Sequence, residues 1–366
     1  MPTPNPLPTT NTSLVYTTPL SPPYLTSTSL PPLAPHTLLI KIHFAAINPV
    51  DIQLWGNPVV NLLSWSRSKG IGRDYSGVIV ALGSALQGKS DWAVGDAVFG
   101  LCNRPLGAGT FAQYLEIEPG REPVARMPRA WGFAEAAGVP LVVLTAWACL
   151  DWLPGGSGGE GERLRRVVVN GASGGVGSWC VQLAKKVFGC HVTGVCSGRN
   201  KQFVEGLGAD VVVDYAVQDV KMTLLGECAE RGKYDLYVDC VGGTEMFSWW
   251  HELLGKEGAY VTIVGDKTSR TAMGGPLTYF TYPSQIWRYL HGYMFGPRYA
   301  NVLLYQRSEL LAQTARLADE QGVQINISDI VEGILDEEGH TEAWEKVRQY
   351  MVGGRVRGKI VVKIVD

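Results

Sequence analysis

The run Val167-Val168-Val169-Asn170-Gly171-Ala172-Ser173-Gly174-Gly175-Val176-Gly177 contains the residue types that hold a phosphate: an apolar strand, a glycine-packed turn and the start of a helix. Phosphate oxygens approach backbone N–H groups closely only where no Cβ intervenes, and a tight strand-to-helix turn takes conformations that other L-residues resist. The helix expected over 178–188 aims its free N–H groups and the positive end of its dipole at the same anion. The expected ligand is a dinucleotide pyrophosphate, cradled by Ser173, Gly174, Gly175 and Val176.

The end of the next strand bears on which dinucleotide. A site for the unphosphorylated form needs an acid there to accept from the ribose 2′-hydroxyl, and a carboxylate would repel a 2′-phosphate. The segment Gly194-Val195-Cys196-Ser197-Gly198-Arg199-Asn200-Lys201 has a hydroxyl, two cations and no acid. This composition points to NADPH, with Ser197 and one or both of Arg199 and Lys201 at the phosphate, and Tyr215 beside the adenine or the phosphate. Gly265, at the end of the fifth strand, joins this set.

These residues need elements to carry them. Apolar runs rich in Val, Ile and Tyr alternate with helical patterns: strands at 166–170, 191–195, 209–213, 234–239 and 258–264, with helices at 178–188 and 200–207. Strands without polar alternation suit burial on both faces, hence a doubly wound parallel sheet whose ligands bind at the strands' carboxyl ends. From Leu14 to Gly138 the pattern changes to short strands punctuated by turns, such as Leu38 to Phe44, Gly77 to Leu82 and Thr110 to Ile117. After a helix expected at 342–351 the tail repeats that pattern, so the β-rich lobe is expected to be discontinuous.

At 366 residues the chain exceeds what one core usually supports. A net charge of −2 gives no general basic field for nucleic acid, and none is expected as a partner. Seven scattered cysteines form no Cys-x-x-Cys pair, which argues against a zinc ribbon or a disulfide framework and for a reducing compartment. The first dozen residues have no arginine and no apolar run, and no segment reaches the ~20 apolar residues of a membrane helix. A cytoplasmic location is the expectation. The Gly-, Ser- and Glu-rich stretch 154–162 reads as a surface insertion.

The chain resembles the medium-chain dehydrogenase/reductases, in their zinc-independent quinone-oxidoreductase-like branch. The resemblance is carried by Ala45-Ala46-Ile47-Asn48-Pro49-Val50-Asp51, Gly72-Arg73-Asp74-Tyr75-Ser76-Gly77-Val78, Val94-Gly95-Asp96, Leu144-Thr145-Ala146-Trp147, Gly171 to Gly177 and Arg357-Gly358-Lys359. Within the branch, the 171–177, 192–197 and 208–215 segments are most similar to reticulon-interacting oxidoreductases and their fungal relatives. The resemblance implies an α/β protein: a GroES-like domain over 14–138 that returns at 319–366, a Rossmann domain over 139–318, and a flexible lead-in over 1–13. It implies NADPH and reduction of quinones or α,β-unsaturated carbonyls.

Zinc alcohol dehydrogenases of this superfamily place a Cys ligand where this chain has Asn48 and a His-Glu pair where it has Arg73-Asp74, so no metal is expected. Reduction without a Lewis acid needs a donor for the developing oxyanion; one such donor is typically worth roughly 3 kcal/mol. Asn48 is the candidate, with Asp51 orienting its loop; the alternative is an Asn-Pro turn that only shapes the backbone. Thr145 resembles the family threonine near the nicotinamide, against a helix-packing role, and Lys359 by family position reaches the cofactor, against a strand-edge charge. No residue stands out as general acid.

Trp55, Tyr279 and Tyr282 are candidates for stacking on a flat apolar substrate, the last two within an aromatic stretch at 279–295 that equally suits packing or a subunit interface. Ala300 to Tyr305 reads as the last strand of the sheet; by resemblance its edge pairs with its twin in a homodimer. Two other functions stay open: a trans-acting enoyl reductase of a biosynthetic pathway, and a non-catalytic NADPH-binding stress or interaction protein.

Overall fold

The computed structural model describes residues 8–65, 67–155, 164–267, 269, 271–272, 278–354 and 356–365. The chain forms two units, Met1–Leu141 with Gln306–Asp366, and Val142–Tyr305. The expected insertion at 154–162 falls mostly outside the described residues.

The discontinuous unit is β-rich, as its turn-punctuated sequence implies. Its larger sheet runs in the order Ile327–Val331, Lys359–Lys363, Leu38–Ile47, Asp74–Leu82, Ala97–Leu101 and Val124–Arg126, with Tyr114–Ile117 also paired to Leu38–Ile47. The strand Leu38–Ile47 is the pivot, buried over most of its length because apolar residues occupy both faces. Its antiparallel register with the tail sets Ile360 opposite Ile47 and Val362 opposite Ala45, while Ala46 lies opposite Asp74 on the other side. The carboxyl end of the pivot is thus flanked by Lys359 and Asp74. Ile40, Ile42, Ile47, Tyr75, Ile79, Phe111, Ile360 and Val362 lie in one core cluster.

Two boundaries differ from the sequence reading. Thr10 to Ser13, assigned to the lead-in, already belong to the strand Thr10–Tyr16, paired with Tyr24–Ser29. Asn11 fixes that edge by donating to the Tyr114 carbonyl and accepting from its N–H, both at 2.9 Å. The helix Ser308–Gln321 groups with the first unit, tied to it where the Val124 N–H donates to Ser308 Oγ and the Ala130 N–H to Asp319 Oδ1.

The second unit holds a six-stranded parallel sheet: β1 (Arg166–Asn170), β2 (His191–Cys196), β3 (Val211–Asp214), β4 (Tyr234–Asp239), β5 (Leu254–Thr262) and β6 (Arg298–Asn301), in the order β3-β2-β1-β4-β5-β6. All pairs are parallel. The strand order reverses between β1 and β4, the point where such sheets bind ligands. Helix α1 (Gly175–Lys186) starts three residues earlier than expected, because Gly174 takes the extended N-cap position inside the glycine run. β6 lies two residues before its expected start and ends at Asn301. Helix α2 (Ser284–Phe295) precedes it.

Candidate active site

The glycine-rich turn takes the form its glycines require. Gly171 sits at φ +80°, in the left-handed region where a side chain is strained. A Cβ on Gly177 would lie 2.2 Å from the Gly171 carbonyl oxygen, so the first turn of α1 packs onto the end of β1 only because residue 177 has none. The N–H groups of Gly171 and Ala172 both donate to the Val195 carbonyl, which ties the turn to β2. Gly174 supplies no side-chain cap to α1, leaving the helix N-terminus for an anion at Gly174, Gly175 and Val176. These features fit a dinucleotide pyrophosphate.

Asn200 joins this turn to the end of β2. Its Nδ2 donates to Ser173 Oγ at 3.0 Å and to Ser197 Oγ at 3.2 Å, and the residue is buried. Sequence reading passed it over, since an Asn at a helix start reads as a cap; it does not cap the helix Lys201–Gly206. Arg199 and Lys201 are exposed beside it, Lys201 3.9 Å from Glu205. Tyr215 follows β3, is exposed, and donates its N–H to the Cys196 carbonyl. The expectation that no acid lies at the end of β2 holds for its own segment, but the register of β2 with β3 sets Cys196 opposite Asp214 and brings in a carboxylate.

The strand ends at the switch point are fixed by Asp239, also missed from sequence. Almost fully buried, it accepts from the Val241 and Gly242 N–H groups, Asn170 Nδ2, Tyr260 Oη and Thr262 Oγ1 at 2.9–3.1 Å. Gly265, at φ +82°, follows this node; a Cβ there would lie 2.6 Å from Thr278 Oγ1. Tyr279 Oη accepts from the Asn301 N–H, Tyr282 is partly exposed, and Thr145 is buried in the helix Pro140–Leu150.

In the first unit, five polar side chains meet at the end of the pivot strand. Lys359 Nζ donates to Asn48 Oδ1 at 2.5 Å and to Asp74 Oδ2 at 3.0 Å; Asn48 Nδ2 donates to the same Asp74 oxygen at 2.9 Å. A lysine only donates and a carboxylate only accepts, so the amide has one possible orientation. Asp74 Oδ1 accepts from the Leu141 N–H at 2.7 Å. Asp51, in the first turn of the helix Pro49–Trp55, accepts from the Asn48 N–H at 2.8 Å and lies 3.7 Å from Arg73 Nε. All five are at most 5% exposed. Burial pushes the Asp51 carboxyl up to about 6, against the opposing pull of Arg73. Trp55 lies in the core of this unit, its Nε1 donating to the Ser21 carbonyl and its ring edge-on to Trp344 at 5.3 Å.

This cluster does not fit a metal ion. The Lys359 ammonium already sits against the oxygens of Asn48 and Asp74 and supplies their counter-charge. Among the described residues no group of three or more His, Cys, Asp or Glu is arranged to hold a metal, and no helix is long and apolar enough to cross a membrane.

Comparison with known proteins places both units. Residues 34–129 match the alcohol dehydrogenase GroES-like domain, and residues 175–281 match a model described as zinc-binding dehydrogenase. The chain is 31% identical over 341 residues to a trans-enoyl reductase of Aspergillus terreus, covering 91% of this chain and 87% of that one. It is 30% identical over 351 residues to a mitochondrial NAD(P)H oxidoreductase of Danio rerio, covering 91% and 84%. A quinone oxidoreductase structure from Coxiella burnetii superposes with a TM-score of 0.73 at 24% identity, covering 97% of this chain and all of that one. The chain therefore belongs to the medium-chain dehydrogenase/reductase superfamily, in its quinone-oxidoreductase-like branch, and is an oxidoreductase with a GroES-like and a Rossmann domain.

Proposed function

We propose that this oxidoreductase uses NADPH to reduce quinones or activated carbon–carbon double bonds. The observation that carries the reading is the strand-end constellation of the second unit: a glycine-rich turn at a helix N-terminus, its Ser173 joined through Asn200 to the Ser197 hydroxyl beside exposed Arg199 and Lys201. Ser173, Gly174, Gly175 and Val176 would hold the pyrophosphate, Ser197, Arg199, Lys201 and Tyr215 the adenosine phosphate end, with Gly265 nearby. Bound NADPH supplies the hydride. The chain's own part is to orient the acceptor and stabilise the oxyanion.

Asn48 is our candidate oxyanion donor. Its amide carries two N–H bonds, of which Asp74 takes one, while Lys359 on the carbonyl side polarises the group. Asp51 and Lys359 act on Asn48 as positioning residues. Thr145, Tyr279 and Tyr282 are our candidates for nicotinamide and substrate contacts, whereas Trp55 is packed in the core of its unit.

The test is consumption of NADPH and NADH with a panel of 1,4-quinones, enones and an enoyl thioester, comparing wild type with Asn48→Ala and Lys201→Ala. NADPH oxidation weakened by both changes supports the reading. NADPH binding without turnover favours a binding protein, and turnover of the thioester alone favours the enoyl reductase function suggested by the name of the Aspergillus terreus relative.

We also propose a homodimer through the edge of β6. Helix α2, beside it, is inverted: Gln285 and Arg288 point inward, while Ile286, Trp287, Leu290, Tyr293 and Met294 are exposed, Tyr293 at 82%. Arg288 is held inside by Asp266 and lies 3.8 Å over the Phe247 ring. An apolar stripe beside an open strand edge suits a twin copy. Seven cysteines, all as free thiols, suit the reducing cytoplasm.

A further inference from the structure

The end of β2 receives an acid from its neighbour. Because β2 and β3 pair with Cys196 opposite Asp214, the Asp214 side chain reaches the turn that carries Ser197 and Arg199. A Cβ built on Gly198 would lie 2.2 Å from Asp214 Oδ2 and 3.1 Å from its Cγ, so the carboxylate occupies the space that any side chain at 198 would fill. It is held there locally. Oδ1 accepts from the Ala216 N–H at 3.0 Å, and the Asp214 N–H donates to Gln218 Oε1 at 2.8 Å. Oδ2 is the oxygen turned toward Gly198. Within this short stretch the chain therefore presents the Ser197 hydroxyl, the cations Arg199 and Lys201, and one carboxylate.

These groups make opposite demands on an adenosine ribose. A carboxylate accepts from a free 2′-hydroxyl and repels a 2′-phosphate, whereas a hydroxyl and cations bind the phosphate. We propose that Asp214 is a specificity-determining residue that limits the preference for NADPH: its carboxylate favours the ribose hydroxyl of NADH and opposes the extra phosphate, against Arg199 and Lys201. Gly198 then has a defined role as the residue whose missing side chain admits the carboxylate. The inference rests on the reading that the 171–177 turn holds a dinucleotide, and it assigns Asp214 no part in the chemical step.

The test is equilibrium binding, by titration calorimetry and by quenching of tryptophan fluorescence, of NADPH and NADH to wild type, Asp214→Asn and Gly198→Ala. Losing a hydrogen bond to a charged group corresponds to roughly tenfold in affinity, so the ratio of the two dissociation constants in Asp214→Asn should move about tenfold toward NADPH. Gly198→Ala should move it the same way, because the new methyl group displaces the carboxylate, and it stands as an independent variant if the Asn protein folds poorly. A ratio unchanged in both variants, or moved toward NADH, overturns the proposal while leaving the dinucleotide site in place. Failure of the wild type to bind either dinucleotide overturns the dinucleotide reading, and this inference with it.

Discussion

Replacing Lys359 with Met strips from Asp74, a fully buried carboxylate, the only cation within hydrogen-bonding distance among the described residues. The remaining partners are neutral: Asn48 Nδ2 at 2.9 Å and the Leu141 N–H at 2.7 Å. Removing one partner of a buried ion pair costs about 3–5 kcal/mol, because the other charge is left uncompensated. Two retained hydrogen bonds favour the lower end, so about 3 kcal/mol is expected, or roughly 6–12 °C in the melting temperature of a unit this size. The double variant Lys359→Met/Asp74→Asn removes both charges, leaves an amide able to accept from Leu141, and should recover at least half of the loss. The assay is a thermal melt of all four proteins in a double-mutant cycle. A single variant within about 1 kcal/mol of wild type, or strictly additive losses, would refute the view that this pair neutralises a buried charge.

Asp51 gives a pH-dependent prediction. Its carboxyl is raised from 3.8 to about 6 by burial, so the native state holds its proton more tightly than the unfolded chain. The associated stability is fully present below about pH 4 and is lost as pH rises through 6, a difference of up to about 3 kcal/mol. Asp51→Asn should therefore gain on wild type between pH 4 and pH 7 in denaturant titrations; a flat difference would contradict it. Gly177→Ala would set a methyl group 2.2 Å from the Gly171 carbonyl, and should weaken dinucleotide binding more than tenfold by calorimetry; tight binding would show that the turn does not form the cradle. Trp287→Lys combined with Leu290→Lys, on the exposed stripe of α2, should convert a dimer to a monomer in sedimentation, and an unchanged mass would remove this face from the interface.

Much of the second unit was legible because parallel strands covered on both faces leave uninterrupted apolar runs: β1, β2 and β4 lie within a residue of where those runs put them. Helix α1 was displaced because glycine reads as a helix breaker, although here it caps and begins the helix. What could not be read is whatever depends on register. Asp214 directly follows the strand expected at 209–213, yet its approach to Gly198 follows only from the pairing of Cys196 with Asp214. The meeting of Asn48, Asp74 and Lys359 has the same origin, two antiparallel registers on a shared strand. In α2 the aromatic residues were noticed but their direction was not, because buried Gln285 and largely covered Arg288 reverse the usual amphipathic rule.

The pivot strand of the first unit meets its tail partner late in synthesis. Lys359 bonds to Asn48 across 311 positions of chain, and a ribosome adding about 5–20 residues per second takes about 15–60 seconds to cover that distance. Until that interval ends Leu38–Ile47 has an edge without its Lys359–Lys363 neighbour and Asp74 is without Lys359, although by then all of Val142–Tyr305 has been synthesised. The Rossmann half can mature first; the other half waits for the final strand. In a cell, the yield of this protein would then be governed by how well a nascent sheet edge is shielded from other chains, and a translation product ended between Tyr305 and Lys359 would carry a complete Rossmann half joined to an unfinished, sticky one.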